Sequence, residues 1–232
     1  YCLNLFGCKV GRKASLAAQG VLVEARVDAV PDAEIDLAKW SALLERCAFW
    51  PAFHALQADF IDPSKALPGA DDYKRALARA ALAEDVALSP AQRLAELEAA
   101  HRDVQSALSY RRSVERLVTA ARIALTLGRR DFAVRVLREA KLALSRLDLT
   151  IDEPFLPALT RYDGIDARPD FIGWFEASVL EAYEVSAAFS SFFSGERAFD
   201  IYEALKENPF ASPEMLRRHR LQRLRHRLDG AF

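Results

Sequence analysis

The sequence predicts a mainly α-helical protein of stacked antiparallel helical hairpins, in a helical-repeat-like or irregular bundle, with a small β-containing segment at its N-terminus. Nine glycines in 232 residues, with heavy use of alanine, leucine, arginine and glutamate, favour helix. Apolar residues recur at three- and four-residue steps over most of the chain. Two capping sequences with proline at the first helical position, Ser89-Pro90 and Ser212-Pro213, mark helix starts.

Length and composition narrow the class of protein. The chain is long enough for one large or two small domains, and its hydrophobic fraction of 51% suits a globular core. The formal net charge of −1 produces no field that draws nucleic acid or an anionic membrane to the whole molecule, so nucleic acid is disfavoured as a partner. Arginine outnumbers lysine and alanine is abundant, a composition typical of GC-rich bacterial genomes.

Cysteine content and hydropathy indicate the cellular compartment in which the protein is expected. The three cysteines, Cys2, Cys8 and Cys47, leave one without a disulfide partner, which argues against a disulfide-stapled secreted domain. The sequence has no charged-then-apolar leader and no run of eighteen uncharged apolar residues. We therefore expect a cytoplasmic protein without a membrane span.

Residues 1–30 differ in pattern from the rest of the chain. Tyr1 to Phe6 and Val21 to Val30 are β-prone, and the second stretch alternates apolar and charged residues. Two strands form either a small hairpin or the tail of an α/β domain lying upstream. Two strands alone are marginally stable, and the chain begins with Tyr1 rather than methionine, so we favour the second alternative and expect a processed chain or a fragment.

The remaining sequence divides into a connector, 31–62, and a helical domain, 71–232. In the connector, Asp32 is predicted to cap a helix that ends near Cys47. The proline- and glycine-containing stretch 61–72 is predicted to be a linker. Helices are then predicted from Asp71 or Asp72 to Val86, from Ser89 to a break near 109–113, from Asp170 to about Phe193, over Arg197–Glu207, and from Ser212 to about Leu228.

The best-defined unit is a helical hairpin over 113–147. Gly128 accommodates the left-handed conformation that ends one helix, and Asp131 starts the next. The buried faces are predicted from residues at helical spacing: Leu117, Ala120, Ala121 and Ala124 before the turn, and Phe132, Ala133, Val136, Leu137, Ala140 and Leu144 after it.

Four residues of this hairpin, Gly128, Ala133, Leu137 and Ala140, have the spacing found in a tetratricopeptide repeat, with Phe132 near the aromatic turn position. The hairpin therefore resembles about one degenerate copy of that repeat. The family's Trp, Gly and Tyr are absent from the first helix, and its closing proline is replaced by Ser145.

The resemblance implies a helical scaffold that binds another protein or peptide. On this basis Glu115, Val118 and Arg122 match the family's ligand-facing positions, and Arg122 would pair with a carboxylate of the partner. A homo-oligomer is an open alternative for the partner.

Sequence signatures of catalysis, metal binding or cofactor binding are weak. The stretch from Gly7 to Ser15 departs in spacing from a phosphate-binding loop and is better interpreted as a basic turn. Glu98 and His101 have the Glu-x-x-His spacing of di-iron bundles, but no second copy exists, so His101 is interpreted as a hydrogen-bonded packing residue. We therefore predict no catalytic residues, no metal and no cofactor for this chain.

The C-terminal helix is rich in arginine. The functional interpretation is an anionic partner such as RNA, and the structural one is pairing with glutamates of a neighbouring helix. The residues concerned are Arg217, Arg218, Arg220, Arg223 and Arg225.

Together these patterns favour a non-catalytic scaffold or accessory domain that binds a polypeptide. One alternative is the C-terminal helical appendage of a larger transferase-like enzyme whose active site lies upstream. A second alternative is RNA binding through the arginine-rich helix.

Overall fold

The structure, a computed structural model, describes residues 9–19, 22–23, 25–53, 60, 65–144, 150–188 and 199–229, with backbone only for 225–229. Within these ranges it is mainly helical, which confirms the predicted class. From α2 onwards each helix packs against the next one in the chain, so the helices form a stack. The α-helices are α1 (Lys13–Ala18), α2 (Ala70–Ala83), α3 (Pro90–Tyr110), α4 (Val114–Thr126), α5 (Arg130–Leu144), α6 (Phe171–Ala187), α7 (Phe199–Leu205) and α8 (Pro213–Asp229).

The β-containing N-terminal segment is not supported. A 3-10 turn at Val10–Arg12 leads into α1, and 22–23 and 25–30 form no strand. The described residues from 25 to 28 are exposed, so their alternating pattern buries no apolar face. The main chain of Val30 instead bonds to side chains of α2 and α3. The strand predicted at Tyr1 to Phe6 lies outside the described residues.

The helix predicted from Asp32 to Cys47 is also wrong. This part of the connector consists of short 3-10 turns, Asp32–Glu34, Leu37–Ser41 and Leu44–Arg46, and a further turn covers Trp50–Phe53. The carboxylate of Asp32 does not cap a helix, because it accepts a hydrogen bond from Arg79 of α2 at 2.6 Å.

The predicted capping chemistry is confirmed at the start of α3. The Ser89 hydroxyl accepts a hydrogen bond from the backbone N–H of Gln92, whose side chain bonds back to Ser89, so α3 begins with a complete capping box. The predicted break after α3 is confirmed, because Arg111 is extended and Ser113 caps α4. By contrast, α2 follows a left-handed Gly69 with no side-chain cap, so the caps predicted at Asp71 or Asp72 are wrong.

The hairpin between α4 and α5 is confirmed. Gly128 has φ of 70°, and the N–H of Arg129 returns to the carbonyl of Ala124 at 2.8 Å, which closes the last turn of α4. The alanines at the closest approach of the two helices are fully buried, including Ala120 and Ala133.

One buried core joins the connector, the helices and the irregular chain before α6. At its centre lies a cluster of aromatic rings. The ring centroids of Phe49 and Trp174 are 4.9 Å apart, and the centroid of Phe155 lies 5.1 Å from those of Phe53 and Phe175. Helix α6 therefore supplies core aromatics, and it ends at Ala187, before the predicted end near Phe193. None of the described helices combines the length and apolar character needed to cross a bilayer.

Gly128→Ala is expected to lower the free energy of unfolding by about 1 kcal/mol, because alanine is disfavoured in the left-handed conformation. A Cβ added at Gly128 has no atom within 4 Å, so the substitution introduces backbone strain without a steric clash. Urea unfolding measures the resulting loss of stability. Gly164→Ala is the control, since its Cβ is equally unobstructed and its φ is not positive. Equal losses in the two variants would contradict the assigned turn.

Candidate functional site

A concentration of buried polar contacts lies where residues 150–164, here called the strap, cross α4. At its first residues, the carboxylate of Glu115 accepts hydrogen bonds from the N–H groups of Asp152, at 2.7 Å, and Glu153, at 3.2 Å. One turn further along α4, the hydroxyl of Thr119 accepts from the N–H of Leu156 at 3.0 Å. Side chains of α4 thus replace the partners that a neighbouring strand would supply.

Carbonyl groups of the strap are bound in the same way. The Tyr73 hydroxyl, from α2, donates to the carbonyl of Pro154 at 2.7 Å and lies 2.8 Å from the Thr119 hydroxyl. The Arg122 guanidinium donates to the carbonyl of Pro157 at 3.0 Å. Proline has no N–H, so at these two positions only the carbonyl needs a partner.

A buried ion pair fixes the start of the strap. Arg116 and Glu153 are both 0% exposed, and Arg116 Nη2 lies 2.7 Å from Glu153 Oε1 while its Nε lies 2.9 Å from Oε2. The other guanidinium nitrogen, Nη1, donates to the carbonyls of Pro68 and Ala107. This arginine therefore ties the strap to the chain before α2 and to the end of α3.

A second ion pair fixes the other end of the strap. Arg122 Nη2 lies 2.7 Å from Asp163 Oδ2, and the backbone carbonyl of Asp163 accepts a hydrogen bond from Ala48 at 2.7 Å. Beside it, the hydroxyl of buried Tyr162 donates to Glu181 of α6 at 3.0 Å. The strap is consequently held at both ends as well as along its length.

Glu115 is the carboxylate of this cluster without a described cationic partner. Its Oε2 is buried and makes no hydrogen bond within the described chain, whereas Asp152 pairs with Arg111 and Glu153 with Arg116. Burial raises the pKa of Glu115 to about 7, and the nearby Asp152 charge adds to the effect.

The same three acids are the best arrangement for a cation that the described residues contain. Oxygen atoms of Glu115, Asp152 and Glu153 lie within 4.8 Å of one another. The guanidinium groups of Arg111 and Arg116 already neutralise two of these carboxylates, so the cluster is better described as an ion-pair network than as a metal centre.

The predicted partner-binding residues lie on one face of α4 and are buried, and two of them, Glu115 and Arg122, bind the strap. Glu115 is 1% exposed, Val118 is 0% and Arg122 is 7%. Sequence reasoning missed the residues that hold the strap beside them, chiefly Arg116 and Glu153. Pro154 and Pro157 disfavour regular helix in the strap, but the sequence contains no signal for where it docks.

A cleft of about 560 Å³ adjoins the strap between α2, α3 and α4. Arg122 and Leu156 line this cleft and also belong to the contact between α4 and the strap. Its walls are mostly apolar, and the charged residues that line it are Arg93, Arg122 and Glu84. The other lining residues are Val23, Leu43, Ala80, Ala83, Pro90, Leu94, Leu97, Ile123 and Thr126.

The arginines of α8 separate into two groups. Arg218 points toward the body, where its Nη1 lies 2.5 Å from Glu184. Arg217, Arg220 and Arg223 are exposed, while the side chain of Arg225 lies outside the described residues.

The Glu-x-x-His pair on α3 has a packing role. The ring of His101 is buried, with its centroid 4.8 Å from that of Phe132, and its Nδ1 lies 3.1 Å from Arg129. Burial, followed by the Arg129 charge, lowers the pKa of His101. Glu98 approaches Arg129 at 4.0 Å, so this pair has a structural explanation.

Comparisons with known proteins assign no family to this chain. No protein-family model matches it, no curated protein matches it, and no solved structure matches it.

Glu153→Gln is expected to lower the free energy of unfolding by roughly 3–5 kcal/mol, because it leaves Arg116 charged and buried without a carboxylate. The control is Glu139→Gln, which breaks the exposed pair between Arg112 and Glu139 and should cost less than about 1 kcal/mol. Urea unfolding of both variants tests this difference. Equal losses would show that the Arg116 pair contributes no more than a surface contact.

Glu115→Gln is expected to remove a pH dependence of stability. The Glu115 pKa is about 7 in the folded protein and 4.5 in the reference state, so folding takes up a proton between these values. Its contribution to the free energy of unfolding therefore falls as pH rises from about 4.5 to about 7, by up to about 3 kcal/mol. In urea titrations, the free energy of unfolding of Glu115→Gln minus that of the parent should therefore be larger at pH 8 than at pH 5. A difference that does not vary with pH would contradict the assigned burial.

Proposed function

We propose that this protein is a non-catalytic helical scaffold that binds another polypeptide in the cleft between α2, α3 and α4. The observation that supports the proposal is the way α4 already holds extended chain. Side chains at successive turns, Glu115, Thr119 and Arg122, bind main-chain groups of the strap. Main-chain N–H and carbonyl groups are common to all polypeptides, so side chains of this kind can also bind the main chain of a partner segment.

The cleft continues this surface. Arg122 borders both the strap and the cleft, so a partner segment entering the cleft lies alongside the strap. In this proposal Glu115 and Arg122 act through the strap, which they position as one wall of the site, while Val118 belongs to the buried core. The tetratricopeptide resemblance predicts the same face of α4 for ligand contacts.

The cleft has the size and chemistry for side chains of an extended segment. Its volume of about 560 Å³ lies within the range of small-molecule sites, roughly 300–1,000 Å³, and is open to solvent along α3 at Leu94, which is 37% exposed. Apolar residues such as Leu97 and Ile123 favour apolar side chains of the partner. Arg93, whose Nε donates to the carbonyl of Ala83 at 2.8 Å, supplies a cation at the edge.

The test uses peptides selected from a phage-displayed random library on the intact protein and then synthesised. We expect Leu94→Arg to weaken their binding by roughly tenfold or more, since a long charged side chain would occupy the cleft and cost at least about 1.4 kcal/mol. Leu142→Arg is the matched control, because Leu142 is 59% exposed on α5 and does not line the cleft. Calorimetric titration measures both.

Two outcomes would contradict the proposal. One is a selection that yields no peptide binding to the folded protein. The other is a set of binding peptides whose affinity is the same for the parent, for Leu94→Arg and for Leu142→Arg.

A further inference from the structure

Helix α8 is anchored to the body by one side only. Ser212 caps it, Met215 is buried, and Arg218 pairs with Glu184 of α6. One turn later His219 Nε2 lies 2.7 Å from Glu203 Oε1 of α7, and Gln222 is buried. These residues define the inward face and leave the opposite face to solvent.

The outward face carries a row of guanidinium groups. Arg217, Arg220 and Arg223 recur at every third residue and are exposed. Arg217 lies 3.8 Å from Glu214, whereas Arg220 and Arg223 have no carboxylate at ion-pair distance among the described residues. Leu224, which is 55% exposed, lies beside them. Arg220 and Arg223 thus retain positive charge that the described part of the protein does not neutralise, and the exposed guanidinium of Arg217 extends the row.

The surroundings of the row favour a phosphate backbone over a membrane or a protein surface. An interfacial membrane helix needs a free apolar stripe, but here Met215 is buried against the body and Leu216 and Leu221 are half-buried. A protein interface needs an apolar centre from which water is excluded, and Leu224 is the single large apolar side chain exposed among the described side chains of α8. Binding to nucleic acid requires neither, because contacts with phosphates supply most of the affinity.

We propose that the row formed by Arg217, Arg220 and Arg223 binds the phosphate backbone of a nucleic-acid strand. Successive members are separated by about 4.5 Å along the helix axis, at 1.5 Å per residue, so the row spans about 9 Å. Consecutive phosphates of one nucleic-acid strand are separated by a few ångströms, about 3.4 Å along the axis when the strand is in a duplex, so three flexible arginines reach two or three of them. Each guanidinium offers two parallel donors to phosphate oxygens.

This site is separate from the cleft. Because the net charge of the whole chain is −1, only the arginine row, and not the protein as a whole, attracts nucleic acid. Binding is therefore expected to be weak at physiological salt and to depend steeply on salt concentration. Because the contacts are to phosphates, a single-stranded RNA and a single-stranded DNA of equal length should bind with similar affinity.

The experiment measures fluorescence anisotropy of labelled 20-nucleotide oligouridylate and oligothymidylate between 50 and 200 mM salt. The parent is compared with Arg217→Gln/Arg220→Gln/Arg223→Gln. Removing three phosphate contacts should reduce the magnitude of the slope of log K against log salt by about 2 and weaken binding at 50 mM salt roughly tenfold or more. The control, Arg102→Gln/Arg135→Gln/Arg138→Gln, removes the same charge from exposed arginines of α3 and α5 and should behave like the parent.

The proposal is overturned by absent binding at 50 mM salt, or by equal slopes for the parent and the α8 variant. It is also overturned if the control variant loses as much affinity as the α8 variant, since total charge would then explain the binding. A 20-residue oligoglutamate that competes as well as the RNA would instead assign the row to acidic polypeptides. Urea unfolding confirms that both triple variants are folded.

Discussion

The buried ion pair between Arg116 and Glu153 is the contact on which the described architecture depends most. Desolvating two charges is costly, and the two short hydrogen bonds within the pair, together with further hydrogen bonds to each ion, offset that cost. Arg116 uses its remaining guanidinium nitrogen on the carbonyls of Pro68 and Ala107, while Ser113 donates to Glu153. One side chain therefore fixes the approach to α2, the end of α3 and the start of the strap.

Buried charged side chains also bind irregular chain where the connector meets α2 and α3. Arg79 is 1% exposed and donates to the carbonyl of Val30 and to Asp32, while Glu96 accepts from the N–H of Val30 at 2.5 Å. Irregular chain is thus attached to a helical wall by buried charged side chains in two separate places. Helices satisfy their own main-chain groups internally, so side chains are their means of binding extended polypeptide. The proposed scaffold function relies on the same kind of contact between helix side chains and polypeptide main chain.

The sequence predicted those parts of the fold that have local signals. Gly128 between two apolar stripes predicted the hairpin, and Ser89 with Pro90 and Gln92 predicted the start of α3. The strap could not be predicted in the same way, because Glu153 meets Arg116 across 37 positions and neither has a local signature. At the N-terminus, hydrogen bonds from helix side chains replaced the strand pairing that β-propensity had suggested. Glu115, Val118 and Arg122 as contacts to a separate partner stay a prediction.

Native-state amide hydrogen exchange directly measures how firmly the strap is held on α4. The N–H groups of Asp152, Glu153 and Leu156 donate to side chains of α4. If the strap is an integral part of the helical body, these amides exchange only on global unfolding, as slowly as those in the middle of α4. Exchange at the rate of an exposed loop, while α4 remains protected, would contradict the account.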